Sequence, residues 1–407
     1  AELFRLGLGS DKGAFIAINS LMVYSSFVSE TVTETQRAKF FDSMESKDLK
    51  GLDVKPLYRS KIGSVIRIKK GQPWTTLPTS GTSWQPGPDG KSYPESDQTV
   101  TLIGALSSRP ILVANRSWQP LFKEVVPSFL FQDYWVTNKV AQQYATSPVN
   151  LCVGKVSYIQ EPGFKLRAVA NPNRVLQALL EPLKEALGSV IRRLPNDFTF
   201  DQDAGVTRVQ SWIQKGMTCW SIDLSDATNL FPRNYTFSVL KNRIRVDEED
   251  DRERYQQLLE LFEYVSKSPW FAKDEMGGIS VHRFTRGQPL GLGPSFFAFG
   301  ISHNAVLMDL VQDLGLPKDS YAILGDDIVI NNGLLAKYYL LSLEKLGCQV
   351  SKDKSLTSSR VAEFAGKIIL ADKIIPQFKW REIDDSNFVD FCRQVGPQSV
   401  SLLSRRQ

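Results

Sequence analysis

Two stretches of this chain carry carboxylates in settings that point to chemistry. The first is Tyr321-Ala-Ile-Leu-Gly-Asp-Asp-Ile-Val-Ile330, where two apolar runs enclose Gly325-Asp326-Asp327. This pattern predicts a tight hairpin, because Gly tolerates the positive φ that the reversal demands. A turn needs only one acid, and two adjacent carboxylates repel each other. A plain solvated Asp-rich turn is the bland alternative. The second stretch is Cys219-Trp-Ser-Ile-Asp-Leu-Ser-Asp-Ala-Thr228. As a strand it places Trp220, Ile222 and Leu224 on one face, with Ser221 and Asp223 on the other. The apolar face would pack on helices, and Asp223 would project from the sheet's open face near the strand end. If this strand lies beside the 321–330 hairpin, Asp223 and Asp326 converge. Converging carboxylates suit hard cations with oxygen ligands, and Mg²⁺ is the usual one in phosphoryl transfer. Two such ions, about 3.5–4 Å apart, activate an attacking hydroxyl and stabilise a leaving oxygen together.

The rest of the composition narrows the chemistry further. His282 and His303 are the only histidines, which excludes a His-rich metal site. Cys152, Cys219, Cys348 and Cys392 lie far apart in sequence, so no zinc knuckle or disulfide framework is readable, and a reducing compartment fits. The 407 residues suggest two or three domain-sized units, and 42% hydrophobic residues exclude wholesale disorder. The net charge of +5 is too mild to imply a polyanionic partner by itself. Its distribution is more pointed. Residues 154–193 and 351–381 each carry seven basic and three acidic side chains, while Asp247–Glu253 holds six acids in seven residues. Two basic stretches around an acidic insert suit a polyanion channel with a solvated outer helix, although ordinary surface patterning gives the same counts. No segment reads as membrane-spanning or as a signal peptide. The chain opens at Ala1 without Met, as a processed product or a fragment would.

Elements that would position the acids are legible downstream of residue 150. Helical periodicity runs from Val175 to Leu194, with Pro182 expected to kink or divide it, and again over Arg252–Lys267, Ser295–Val311 and Leu334–Leu346, the last stopped by Gly347. Strands fit Cys219–Leu224, Tyr321–Leu324, Ile328–Ile330 and Phe364–Leu370, and this mixture predicts an α+β or α/β body. Before residue 150 only Val65–Ile68 reads as a strand. Thr76–Asp97 is a Pro-, Gly- and Ser-rich loop. Its Gly90-Lys91-Ser92 matches the tail of a phosphate-binding loop by chance, since Gln85 stands where that loop needs glycine.

An ordered series of segments resembles viral RNA-dependent RNA polymerases, most closely the mitovirus, narnavirus, ourmiavirus and levivirus lineage. Gly163-Phe-Lys-Leu-Arg-Ala-Val-Ala170 is similar to the basic finger motif. Asp223-Leu-Ser-Asp-Ala-Thr228 with Phe231-Pro232 is similar to the first palm motif, and Gly287–Ser295 through His303-Asn304 to the second. Gly325-Asp326-Asp327 matches the third, Ser351–Ser355 the fourth and Glu363–Gly366 the fifth. The series covers residues 154–370, a little over half the chain. The resemblance implies an α+β right hand with palm, fingers and a small thumb, its antiparallel palm sheet backed by helices. Residues 1–200 would be mainly fingers with an N-terminal extension. Residues 201–370 would form the palm, with a fingers insertion around 240–285, and 371–407 a small or partial thumb.

The resemblance also implies site roles. Asp223 and Asp326 would bind two Mg²⁺ ions, with Mn²⁺ able to substitute and Asp327 assisting at the edge. Lys165 and Arg167 would hold the incoming triphosphate, since Arg forks onto phosphate oxygens and Lys acts as a point charge; a surface strand is the bland reading. Gly291 and Ser295 would face template and nucleotide sugar, while Ser295 as a helix cap is the bland reading. Phe296, Phe297 and Phe299 read as core packing, and His303 as a packing polar group. Lys354, with Lys352 as rival, would protonate the leaving pyrophosphate. Asn229 stands where the family usually carries the acid that recognises the ribose hydroxyl; Asp226 could supply that carboxylate. The expected partners are an RNA template and product strand, nucleoside triphosphates, and additional viral or host subunits. The expected activity is RNA-templated RNA synthesis replicating a positive-strand RNA virus genome, in host cytoplasm or mitochondrion. A reverse transcriptase, which usually has a bulky residue at the place of Gly325, and a non-catalytic RNA-binding protein are the competing readings.

Overall fold

The computed structural model describes residues 9–29, 31–56, 61–62, 66–72, 111, 114–125, 152–161 and 163–377. Val65, the Thr76–Asp97 loop with Gly90-Lys91-Ser92, Cys392 and residues 378–407 of the expected thumb lie outside the described residues. Residues 66–68 form no regular strand.

The elements begin with helices α1 (Asp11–Leu21), α2 (Glu34–Met44) and α3 (Gln119–Val125), followed by the hairpin β1 (Gly154–Glu161) and β2 (Lys165–Pro172). Then come α4 (Arg174–Ile191), α5 (Gln202–Gln214), β3 (Cys219–Ile222), β4 (Leu224–Ser225), α6 (Ala227–Leu230), α7 (Arg233–Arg243) and α8 (Glu249–Lys267). After β5 (Trp270–Lys273) and β6 (Ile279–His282) follow α9 (Ser295–Asp313), β7 (Tyr321–Leu324), β8 (Asp327–Ile330) and α10 (Gly333–Leu346). Five short strands close the described chain: β9 (Gln349–Val350), β10 (Leu356–Ser358), β11 (Val361–Phe364), β12 (Lys367–Leu370) and β13 (Ile374–Pro376).

The central sheet has the order β10-β3-β8-β7 and is antiparallel throughout. In the β3–β8 register Trp220 faces Ile330, Ser221 faces Val329 and Ile222 faces Ile328. The next residue on each strand, Asp223 and Asp327, therefore leaves the sheet at the same end. Trp220, Ile222, Ile328 and Ile330 turn toward the main core, built with α4, α7, α8, α9 and α10. The opposite face is not open, as the strand pattern had implied. Cys219, Ala322 and Val329 pack there against Val206 and Val209 of α5 and Ala362, Phe364 and Ile369 of the β11-β12-β13 sheet. Apolar residues on both faces, large on the main-core side and smaller on the other, let the strands be covered twice. Ser221, which looked solvent-facing, is buried, and its Oγ accepts the Glu363 N–H at 3.0 Å.

Helix α4 runs unbroken through Pro182, since packing of Leu179, Leu180, Leu183 and Leu187 in the core outweighs one lost backbone hydrogen bond. Helix α8 starts three residues earlier than its apolar periodicity, because Glu249, Asp250 and Asp251 favour the positive end of the helix dipole. The expected strand Phe364–Leu370 is instead a hairpin, turning at Ala365 and Gly366, both at positive φ. A second sheet, β2-β1-β5-β6, joins Trp270–His282 to the basic hairpin 154–172.

Residues 9–29 and 31–44, opaque in sequence, bridge these parts. On α1, Ala14 and Phe15 pack on Ile375, and Lys373 pairs with Asp11 at 2.8 Å. Farther along, the Phe27 carbonyl accepts the Gly163 N–H at 2.8 Å, Phe27 stacks on Phe164, and Gln36 Nε2 donates to the Phe164 carbonyl at 3.0 Å. The N-terminal segment thus runs from the β11–β13 sheet to the tip of the hairpin carrying Lys165 and Arg167. Cys152, Cys219 and Cys348 are buried free thiols. Among the described residues no helix is long and apolar enough to cross a membrane.

Candidate active site

The turn between β7 and β8 holds Gly325 at φ +61 and leaves Asp326 exposed. Asp327 opens β8, half-buried, with its Oδ2 accepting the Ala365 N–H at 2.7 Å. Burial, and then the charges of Glu363, Asp326 and Asp223, push the Asp327 carboxyl up to about 7 against the pull of that hydrogen bond. Four acids from three distant segments thus share one field. Glu363 was quoted only as part of a motif; its place beside Asp327 depends on the Ser221 hydroxyl that receives its N–H, a contact invisible in sequence.

Asp223 is held by the loop after β9. Its N–H donates to Ser355 Oγ at 3.2 Å, and its carbonyl accepts the Ser351 N–H at 2.9 Å. The same loop brings Lys354 Nζ to 3.7 Å from Asp223 Oδ2. Lys352 makes no ion pair among the described residues. Asp226 is exposed, in the left-handed region at φ +47, and Asn229 is buried in α6 one turn later.

The loop 287–295 is threaded between α6 and β2. The Gln288 N–H donates to the Thr228 carbonyl at 2.9 Å, and the Leu290 carbonyl accepts the Ala170 N–H at 2.8 Å. Gly291, at φ +114, approaches β2 so closely that a Cβ there would meet the Ala170 carbonyl oxygen at 2.6 Å. From α4, Gln177 donates to the Gly291 carbonyl at 2.9 Å and accepts the Gly293 N–H at 3.0 Å, a clamp no motif announced. Ser295 does not cap α9. Pro294 is the cap residue, and Ser295 Oγ is buried with no hydrogen-bond partner among the described residues. Phe299 is core, as its spacing indicated, but Phe296 is 38% exposed, its ring against the Gly325 backbone. Phe297 stacks on Phe200 at 5.8 Å, and the Arg192 guanidinium lies 3.6 Å over the Phe200 ring. Lys165 and Arg167 point the same way from β2. Both are exposed beside Glu161, which takes Arg167 through two hydrogen bonds of 2.6 and 3.3 Å and Lys165 at 3.9 Å.

The donor set at the sheet end fits a hard divalent cation. Its donors are carboxylate oxygens, and Lys354 is the cation ion-paired with Asp223. Among the described residues no group of three or more His, Cys, Asp or Glu is arranged to enclose a metal alone. Such a site would share its ion with water and substrate oxygens, as Mg²⁺ sites commonly do.

A family model described as mitovirus RNA-dependent RNA polymerase matches residues 76–388. The RNA-directed RNA polymerase of Cryphonectria parasitica mitovirus 1 is 28% identical over 219 residues, which cover 53% of this chain and 25% of that protein. An uncharacterised mitochondrial protein of Arabidopsis thaliana is 30% identical over 194 residues, 46% of this chain and 90% of that protein. The alignment thus spans about a quarter of the mitovirus polymerase's length. Among solved structures, an insertion-loop deletion mutant of the RNA-dependent RNA polymerase of a human picobirnavirus superimposes with a TM-score of 0.57 at 12% identity, covering 87% of this chain and 66% of that one. That likeness shows the fold: an α+β right-hand polymerase.

Proposed function

Because the chain belongs to the mitovirus RNA-dependent RNA polymerase family, we propose that it carries out RNA-templated RNA synthesis from nucleoside triphosphates in the replication of an RNA virus genome. What supports this reading most is the shared field of Asp223, Asp326, Asp327 and Glu363 at one end of the central sheet, with Lys354 facing it. A 3′-hydroxyl attacks the α-phosphorus of the bound nucleotide, and pyrophosphate leaves. Asp223 and Asp326 would hold two Mg²⁺ ions, with Asp327 assisting at the edge and Mn²⁺ able to substitute. When bound, these ions lower the hydroxyl's pKa and neutralise charge on the leaving oxygen. Asp327, tied to Ala365, orients the turn. Lys354 Nζ gives its proton to the departing pyrophosphate. Lys165 and Arg167 grip the triphosphate, Asn229 reads the ribose hydroxyl, and Gly291 and Ser295 line the loop between nucleotide and template. Of the described residues, those before 201 would be mainly fingers with an N-terminal extension, and those from 201 to 370 palm with a fingers insertion around 240–285, of which Trp270–His282 joins the sheet of the 154–172 hairpin. The mitochondrial Arabidopsis relative supports the mitochondrion over the host cytoplasm.

Primer extension on a defined RNA template tests the reading. Divalent-dependent incorporation of ribonucleotides is expected. A clear preference for deoxynucleotides would make the protein a reverse transcriptase. RNA binding with no incorporation would make it a non-catalytic binder.

Two further results are expected. Glu161 competes with the triphosphate for Arg167, so Glu161→Gln should lower the nucleotide KM by up to about five-fold, the worth of an exposed ion pair; steady-state kinetics showing a raised KM would refute the competition. The exposed Phe296 ring beside the turn offers a base a stacking surface, and the rings of Phe297, 5.7 Å from it, and Phe200 lead on to Arg192, a cation for a phosphate. Phe296→Ala should weaken RNA binding by at least about five-fold. Because stacking is not ionic, that factor should persist between low and high salt in filter binding, and a factor that vanishes at high salt would exclude stacking.

A further inference from the structure

His303 sits on α9 with no exposed surface, enclosed by Phe231, Phe299 and Tyr339. Its Nδ1 lies 2.8 Å from the Gly325 carbonyl oxygen, and its Nε2 lies 2.6 Å from the Tyr339 hydroxyl. A carbonyl oxygen only accepts, so Nδ1 carries the ring proton. Burial drives the imidazole down to about 4, so it is neutral and Nε2 is bare. The Tyr339 hydroxyl, whose own proton burial holds firmly, must then donate to Nε2. Protons run one way: Tyr339 O–H to Nε2, and Nδ1–H to the Gly325 carbonyl. That carbonyl belongs to the peptide joining Gly325 to Asp326. Glycine at positive φ leaves this peptide free to rotate, and rotation would swing the Asp326 carboxylate.

We propose that His303 and Tyr339 are positioning residues for Asp326: the Nδ1–H of His303 pins the Gly325–Asp326 peptide in the orientation nucleotide transfer requires, and the Tyr339 hydroxyl, donating to Nε2, holds the ring in place to do so. The inference rests on the polymerase reading. His303 has no contact with substrate in this role; it acts through the backbone of the turn. With Tyr339 gone the Gly325 carbonyl still keeps the proton on Nδ1, but Nε2 is left buried without its donor and the ring loses the bond that fixes its orientation.

The first test needs no variant in the turn. Ring-¹⁵N NMR of the whole protein, with His282→Gln to assign the only other histidine, should show His303 as the Nδ1–H tautomer alone. Tyr339→Phe should keep the Nδ1–H tautomer but shift the Nε2 resonance as its donor is lost, and should lower kcat by about ten-fold or more, with nucleotide KM and RNA affinity unchanged, as expected when a reacting group is misplaced. His303→Asn keeps an amide donor near the Nδ1 position, so it should recover most of the kcat that His303→Leu loses. An Nε2–H tautomer in the wild type overturns the proposal, as does folded His303→Leu with the kcat of His303→Asn. Wild-type protein with no incorporation, but the Nδ1–H tautomer intact, would remove the polymerase reading and leave the hydrogen-bond relay standing.

Discussion

Asp326→Asn should abolish nucleotide incorporation, lowering kcat on the order of 10³-fold, while leaving RNA affinity within a few-fold. Asparagine matches aspartate in size, and the side chain is exposed at the tip of the β7–β8 turn, so neither packing nor the turn's φ is disturbed. What disappears is a full negative charge from a site whose acids already crowd one another. The same loss should let the Asp327 carboxyl fall from about 7, since Asp326 is one of the charges holding it up. Two independent measurements therefore bear on one substitution: single-turnover extension for the chemistry, and titration of Asp327 for the shared field. Asp327→Asn should cost less, because an amide oxygen can still accept the Ala365 N–H. A folded Asp326→Asn protein that extends primers within ten-fold of wild type would remove Asp326 from the chemistry.

How much of this was legible in sequence depended on whether the deciding contact was local. Helix α10 announced itself through its apolar spacing and Gly347, which stands at φ +68 as its stop. The β7–β8 hairpin was equally plain, because Gly-Asp between two apolar runs leaves few alternatives. The Ala365–Gly366 turn was missed because a lone glycine between Phe364 and Ile368 does not interrupt a strand pattern, and its positive-φ partner is an alanine. Lys165 and Arg167 were found by motif, but their hold on Glu161 needs the β1–β2 register, which sets Glu161 opposite Lys165. The N-terminal segment shows the limit most clearly. The Thr33–Gln36 capping box is readable locally, yet α2 buries only Met44, and the partners of α1 lie more than 350 residues away, as Asn19 and Pro376 show. Nothing in residues 11–44 alone says where they dock.

Arg286 is where the N-terminal segment becomes an energetic part of the site, and replacing it should be among the most destabilising single changes in the described chain. The residue is 1% exposed. Its guanidinium donates to the carbonyls of Leu230 at the end of α6 and Leu346 at the end of α10, and to the Asp48 carbonyl at 3.1 Å. Its own carbonyl accepts the Arg233 N–H at 2.9 Å, just ahead of the Gly287 loop. One planar fork thus joins the segment after Asp223, the loop before α9, the negative end of α10 and the N-terminal extension. Arg286→Met would strand several buried carbonyls at once, at about 1–3 kcal/mol each. Arg286→Lys keeps the charge but cannot reach three divergent acceptors from a single nitrogen. Both variants should melt at least about 5 °C below wild type, with Lys giving little rescue. Because the acceptors sit on separate segments, hydrogen exchange should quicken together around residues 48, 230 and 346. Faster exchange at only one of them, or a lysine variant melting with wild type, would mean that the three segments are held by packing and that the fork is incidental.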